Sequence, residues 1–290
     1  MKPAPFRYWR PASLDEALAL LAEHGDLAKP LAGGQSLVPM MNLRLAQPAE
    51  LIDIGALPGL DGIREDGEAI EIGALASHQS IADSPVVGRH CPLLAEAAAW
   101  IGHYAIRQRG TLGGSLAHAD PCAQLPLAAV TLGATLELAS RRGRRTVAAD
   151  DFFVSVMTTA IEPDELLVSV RFPVEGRGEG AAFRLFNRRH GDFAIVAVAA
   201  CAALDGDRVA RLRLGVGGVE GAPRALHALA AAQPGRTADA AWIADVAAAA
   251  RDAVDAQDDG RISALYRREL TETLVARALA AAIERAGART

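Results

Sequence analysis

Sulfur is scarce in this chain. Three cysteines, Cys91, Cys122 and Cys201, lie scattered through 290 residues with no CxxC pair, so neither a zinc site nor an iron–sulfur cluster is expected within it. Buried thiols in a reducing compartment are the expectation. Long apolar runs are missing as well. The longest, Ile195 to Leu204, is about half of the roughly 20 residues that a membrane-spanning helix needs, and the opening "MKPAPFRYWRP" has no apolar stretch of the signal-peptide kind. The expectation is a cytoplasmic protein with no membrane span. Positive charge is not in excess either: the formal net charge is −5, which gives no overall attraction to nucleic acid or anionic lipid. The one basic cluster, "RRGRR" at 141–145, is flanked by "ATLELAS" and "TVAADDFF" and reads as the solvated tip of a hairpin. No GxGxxG and no GxxxxGK[ST] occurs, so neither a Rossmann dinucleotide loop nor a P-loop is supported.

What is present is apolar content sufficient for a core, 51% of residues, in a length that allows one large domain or two ordinary ones. Ser13-Leu14-Asp15-Glu16 forms a capping box, and Leu14, Ala17, Leu18 and Leu21 recur at helical spacing until Gly25. Strands are predicted around Lys29–Ala32, at "LIDI" (51–54) and at "AIEIGAL" (69–75), followed by a mostly helical stretch over 78–102 and strand-like segments at 134–139 and 166–172. "PVEGRGEG", Pro173 to Gly180, combines glycine, proline and charge without apolar period and reads as a linker. Beyond it come an apolar segment, a turn at Asp205-Gly206-Asp207, a strand ending in glycines, and an alanine-rich helical tail. There Leu265, Leu270, Leu274 and Leu279 are expected to form a core-facing stripe.

Two short stretches carry the chemistry. "LAGGQSLVPMMNLR" (31–44) and "GTLGGSLAHADP" (110–121) each place adjacent glycines before a serine, Ser36 and Ser115. Glycines after a strand permit positive φ and close approach of a ligand, and the N–H groups of a helix start point outward as donors. Such a loop suits a phosphate or pyrophosphate, with the serine hydroxyls as further donors. A tight strand-to-helix turn with no ligand is the alternative for either loop taken singly.

Together, "LAGGQSLVPMMNLRLAQPAELIDI", "IRQRGTLGGSLAHADPCAQLP" and "NRRHGDFAIVAVA" resemble the FAD-binding medium subunit of molybdenum-containing hydroxylases, the group of the carbon monoxide dehydrogenase and xanthine dehydrogenase flavoproteins. The resemblance runs over nearly the whole chain. It implies an α+β fold: a FAD-binding domain of the vanillyl-alcohol-oxidase (PCMH) type over 1–176, with subdomains of about 1–57 and 58–176, and an α+β C-terminal domain over 177–290 of antiparallel sheet plus helices.

The resemblance also implies residue roles. Lys29 and the stretch Ala32, Gly33, Gly34, Gln35, Ser36 and Leu37 would meet the FAD pyrophosphate and its neighbourhood. Thr111, Leu112, Gly113, Gly114 and Ser115 would close on the diphosphate and ribityl chain from the other side. Ala117 and Asp120 fall in the same stretch, and Ile101 and Leu167 match positions lining the flavin and adenine regions. Gln124 stands where some members hold ribityl hydroxyls with an acid, and Arg184, followed by Leu185, stands where relatives often bring a lysine to the flavin. His103 and His118 are open to three roles: flavin neighbour, covalent attachment point or polar filler. The family group holds FAD noncovalently. Trp9, Trp100 and Trp242 read as packing.

By resemblance, then, this is an electron-transfer subunit that carries FAD. A large subunit with molybdopterin and a small subunit with two [2Fe–2S] clusters would complete a heterotrimer, itself paired into a dimer of heterotrimers, and FAD would hand electrons to an external acceptor. The lack of cysteine clusters agrees, and no Ser/His/Asp or paired-carboxylate constellation demands another chemistry. Two rivals remain at this level: a stand-alone FAD-dependent oxidase of the same fold, and a non-catalytic binding module whose glycine loops are mere turns. The exposed face around Arg184, Arg188 and Arg189 could meet a partner or form surface ion pairs.

Overall fold

A computed structural model describes residues 2–176 and 178–288. The N-terminal unit is β1 (Arg7–Trp9), α1 (Leu14–His24), β2 (Ala28–Leu31), α2 (Leu37–Asn42) and β3 (Glu50–Asp53), with a parallel sheet in the order β1-β3-β2. The expected cap of α1 is present: the Glu16 N–H donates to Ser13 Oγ at 3.2 Å. The Glu16 carboxylate reaches back one residue further than a capping box requires, accepting from the N–H of Ala12 at 2.7 Å. Ala17, Leu18 and Leu21 face the core, and Gly25, with φ 49°, ends the helix.

The second unit begins with β4 (Ile63–Asp66) and β5 (Ala69–Gly73). Six helices follow: α3 (His78–Asp83), α4 (Pro85–His90), α5 (Pro92–Ala99), α6 (Tyr104–Arg107), α7 (Leu112–His118) and α8 (Gln124–Leu132). Then come β6 (Thr135–Ser140), β7 (Gly143–Ala148), α9 (Ala149–Phe152), the small hairpin β8 (Phe153–Ser155) and β9 (Thr158–Thr159), and β10 (Leu166–Pro173). An antiparallel sheet in the order β4-β5-β10-β6-β7 results. The basic cluster sits at the β6–β7 turn and is neutralised locally: Arg142 pairs with Glu162 and Asp164, Arg144 with Glu137, and Arg145 with Glu165.

The third unit is β11 (Glu179–Phe186), β12 (Val196–Asp205), β13 (Arg208–Gly217), β14 (Arg224–Ala225), α10 (His227–Ala231), α11 (Ala240–Ala253) and α12 (Ala264–Gly287). Its antiparallel sheet runs β11-β12-β13-β14. The long apolar run finds its reason in β12. Ala197, Ala199 and Cys201 point into the core shared with the second unit, while Val196, Val198, Ala200 and Ala202 point into the core under α11 and α12. Side chains alternate across a strand, so a strand buried on both faces has no polar positions to show.

Small residues let the helices lie close. A Cβ at Gly180 would stand 2.0 Å from the Ala282 carbonyl oxygen and 2.4 Å from the Ala286 nitrogen, on the backbone of α12. One expectation fails in this unit. Leu265 is 67% exposed, so the leucine stripe of α12 narrows to Leu274 and Leu279, with Leu270 half-buried. In the first turn of α12 it is Tyr266 and Arg267, not Leu265, that face the sheet: the Tyr266 ring meets that of Phe186 edge-on at 6.4 Å, and Arg267 donates to the Ile195 and Gly218 carbonyls. The glycine- and charge-rich stretch that reads as a linker ends in a charge that the fold takes up. Glu179 is fully buried, and its Oε2 accepts from Arg211 and Arg213, both at 2.9 Å. Its charge is matched internally and not by water.

The second glycine loop is anchored from beneath by His78. The His78 N–H donates to the Gly110 carbonyl at 2.9 Å, and Nε2 lies 2.9 Å from the Thr111 carbonyl, which can only accept, so Nε2 carries the hydrogen. Burial pushes the His78 imidazole down to about 4 from its ordinary 6.5, with nearby Arg107 acting in the same direction and the Thr111 carbonyl against it.

Two outcomes follow from this architecture. Gly180→Ala should lower the unfolding free energy by about 3 kcal/mol in urea titrations, because α12 must shift. Gly62→Ala, with open space around it, should change it by less than about 0.5 kcal/mol. For His78 the depressed pKa means that the unfolded chain takes up the proton first. Its neutral burial therefore leaves stability untouched above pH 6.5 and erodes it as pH falls toward 4, with a slope of up to about 1.4 kcal/mol per pH unit. A His78→Gln variant should show a flatter stability profile across that window, and an unchanged slope would refute the assignment.

Candidate functional site

The first glycine loop leaves β2 and enters α2, and its backbone is shaped by what it touches. Gly34 has φ 70°, a left-handed conformation that glycine adopts without strain. Gly33 meets the second unit: a Cβ there would stand 1.9 Å from the Arg109 carbonyl oxygen and 3.0 Å from the Gly110 Cα. Gln35 folds back so that Nε2 donates to the Gly33 carbonyl at 3.0 Å.

The second glycine pair works differently from the first. Neither Gly113 nor Gly114 has positive φ; both lie inside α7, whose N-cap Thr111 accepts the Gly114 N–H at 3.1 Å. Gly113 is glycine because Ala74 is packed on it, a Cβ there being 2.6 Å from the Ala74 Cβ. The exposed Gly114 faces the first loop, its would-be Cβ lying 4.0 Å from that of Ala32.

Between the loops opens a cleft of about 750 Å³, within the range of small-molecule and cofactor sites. Of the residues implied by the sequence, Ala32, Gly33, Gly34, Gln35 and Thr111 line it. Its far wall comes from Leu75, Ser77, Gln108 and Arg109, and its near wall includes Arg10, Val38 and Asp53. Asp53 is committed: Oδ1 accepts the Gly55 N–H at 3.0 Å and Oδ2 accepts the Tyr8 hydroxyl. That hydrogen bond to Asp53 is the main reason the Tyr8 phenol is raised above its usual range. Two arginines against one carboxylate leave the cleft with positive charge. Bare glycine backbone, hydroxyls and guanidinium groups suit a diphosphate, so the residues present fit FAD.

Other implied residues lie outside the lining. Ser36 and Leu37 begin α2 beside the cleft, while Lys29 is exposed on β2. Ser115 and Ala117 follow on α7, Ser115 half-buried and Ala117 exposed. Asp120 accepts the Cys122 N–H at 2.8 Å, and Gln124 is buried at the start of α8. Ile101 is half-buried, its carbonyl accepting from Arg107 at 3.0 Å. Leu167 is 4% exposed on β10, within the main core. Arg184 is held by Glu96 at 2.9 Å, and Glu96 also binds Arg285 of α12 at 2.7 Å, so the guanidinium is committed to a junction between units. Arg189 pairs with Asp192 at 3.4 Å. The exposed His103 is 5.9 Å from the His190 ring, and His118 is half-buried at the end of α7. Trp242 is buried, Trp9 stacks on His24, and Trp100 lies 6.1 Å from His190.

Sequence reasoning missed Arg10, Asp53, Ser77 and Arg109. Arg109 sits within the second motif and could have been found as a cation one residue before Gly110. Arg10 and Ser77 carry no local signal, being brought to the cleft by the sheets. Among the described residues no helix is long and apolar enough to cross a membrane, and no cluster of metal-ligating side chains is present.

Comparisons with known proteins agree with this fold. Residues 4–175 match the FAD binding domain in molybdopterin dehydrogenase, and residues 181–282 the CO dehydrogenase flavoprotein C-terminal domain. The chain is 43% identical to the 6-hydroxypseudooxynicotine dehydrogenase complex subunit alpha of Paenarthrobacter nicotinovorans, over 99% of this chain and 97% of that one. It is 40% identical to the carbon monoxide dehydrogenase medium chain of Hydrogenophaga pseudoflava, over 97% and 98%. Among solved structures, carbon monoxide dehydrogenase from H. pseudoflava superposes with a TM-score of 0.95 at 39% identity, covering 98% of this chain and 99% of that one. Quinoline 2-oxidoreductase from Pseudomonas putida 86 gives 0.94 at 34% identity, over 99% of each. The chain therefore belongs to the family of FAD-binding flavoprotein subunits of the molybdopterin dehydrogenases, built as a FAD-binding domain followed by a CO dehydrogenase flavoprotein C-terminal domain.

Proposed function

We propose that this chain is the electron-transfer subunit of a heterotrimeric molybdenum hydroxylase, taking electrons from [2Fe–2S] clusters of a small subunit and passing them to an external acceptor. The substrate is oxidised on a large molybdopterin subunit, and the complex pairs as a dimer of heterotrimers. The observation that carries this reading is the cleft between two glycine loops, each loop held by the other through Gly33 and Arg109, in a chain whose family binds FAD. Carbon monoxide dehydrogenase medium chains and the caffeine dehydrogenase subunit beta among its relatives are named as parts of larger assemblies.

In this reading Ala32, Gly33, Gly34, Gln35, Ser36 and Leu37 hold the diphosphate from one side. Thr111, Gly113, Gly114, Ser115, Ala117 and Asp120 hold the cofactor from the other, with Lys29, Ile101 and Gln124 around it. Leu167 supports the site from the core and Arg184 from the junction with α12. Bound FAD supplies the redox centre, and the chain's own task is to grip, orient and shield it without a general base for substrate. The three thiols are free, in keeping with a reducing compartment, and we place the protein in the cytoplasm.

The test is a titration of cofactor-stripped protein with FAD and with FMN, followed by flavin fluorescence and the visible spectrum. FAD should bind tightly and saturably and FMN much more weakly; equal or absent binding sinks the reading. The isolated, FAD-loaded chain should also show no substrate-dependent oxygen consumption with small heterocycles. Robust turnover without partners would identify a stand-alone oxidase instead.

A further inference from the structure

Arg10 and Arg109 reach the cleft from different units. Arg10 directly follows β1, whereas Arg109 lies between α6 and Thr111. Among the described residues neither guanidinium makes an ion pair or side-chain hydrogen bond. Their surroundings make this informative. Arg107, two residues from Arg109, is fully engaged, donating to Gln79 at 2.9 Å and to the carbonyls of Ile101 and Gly102. The cleft's carboxylate, Asp53, has both oxygens taken by Gly55 and Tyr8. The backbone of Arg109 is fixed as well, because its carbonyl is pressed against Gly33 and its N–H donates to Ile106 at 3.2 Å. The side chain therefore leaves a rigid base directly beside the first glycine loop.

We propose that Arg10 and Arg109 together read the phosphate charge of the ligand, one from each wall, and so make the cleft selective for a diphosphate-bearing flavin over a neutral one. This rests on the FAD reading above and extends it to residues outside both glycine motifs. Guanidinium groups are permanently charged and present forked donors that match phosphate oxygens. Glycine backbone alone supplies donors but no net charge. In a protein of net charge −5, a pair of cations at the loops gives an anionic ligand a local attraction that the molecule as a whole does not offer.

The experiment uses the full chain freed of flavin, as wild type, Arg10→Gln, Arg109→Gln, Arg109→Lys and the double glutamine variant. Each is titrated with FAD, with riboflavin and with inorganic pyrophosphate, at low and high salt, and melted without ligand to confirm equal folding. Each glutamine substitution should weaken FAD and pyrophosphate about tenfold and flatten their salt dependence. Riboflavin affinity should stay unchanged, and Arg109→Lys should recover part of the loss. Variants that fold normally yet bind FAD and pyrophosphate as tightly as wild type, with the same salt dependence, overturn the assignment. A wild type that binds pyrophosphate through these arginines but not FAD would leave the assignment standing and remove the flavin reading instead.

Discussion

The site depends on one contact between backbones: Gly33 against the carbonyl of Arg109. At 1.9 Å from that oxygen no side-chain atom can exist, so the first loop reaches the second only as glycine. Once the two touch, much of the cleft follows. Gly34 must turn through positive φ to leave β2 for α2, and Thr111, held by Ser77 across an isolated bridge, starts α7 on the opposite wall. The parallel sheet and the antiparallel sheet are thereby joined at the point where a ligand would lie. A cleft formed between units in this way presents glycine backbone, hydroxyls and arginines beside apolar side chains such as Leu31, Val38 and Leu75, a lining that suits a ligand with both a phosphate part and an apolar part.

The second unit, which supplies the far wall of the cleft, shares a core with the third. Ala181, Phe183, Ala197, Ala199 and Cys201 of the C-terminal sheet are buried with Leu93, Leu94, Leu127 and Phe152 of the preceding unit. α8 lies so close to β13 that a Cβ at Gly215 would stand 2.1 Å from Thr131 Oγ1. The opposite face of the same sheet is covered by α11 and α12, with Trp242, Leu274 and Leu279 among the buried side chains. Ionic ties reinforce the junction at its edges: Glu96 takes Arg184 and Arg285, and Glu179 takes Arg211 and Arg213. A buried carboxylate stripped of such partners leaves an unpaired charge in the interior, so these arginines are held where they are by the fold and are not available to a ligand.

That distinction explains what was legible in the residues and what was not. Local signals sufficed for α1, with its Ser13 cap, for the Asp205-Gly206-Asp207 turn, and for the first glycine pair, where positive φ is needed. Burial on both faces was visible in the unbroken run of β12. Long-range packing left weaker marks. Gly113 reads as a ligand-facing glycine, and nothing in the sequence marks the further constraint that Ala74 sits against it. Glu179 falls in a stretch that reads as a linker, and nothing local announces the arginines of β13 that meet it in the interior. Leu265 follows the spacing of a core stripe, but there the helix turns Tyr266 and Arg267 toward the sheet and leaves Leu265 exposed. Arg10 and Ser77 join the site only through sheet order, which no single segment encodes.

The titratable groups near the cleft favour holding a cofactor over proton chemistry. His78, the imidazole nearest the second loop, is held neutral because burial drives its pKa down to about 4, so it does not change charge near neutrality. Tyr8 is held protonated by its bond to Asp53, which raises the phenol. A general acid or base needs the opposite arrangement, a group tuned toward the working pH and within reach of a substrate proton. With the arginines permanently charged, the cleft keeps a constant electrostatic character across the physiological range. An anionic ligand gripped in such a site is held by guanidinium charges that do not vary with pH.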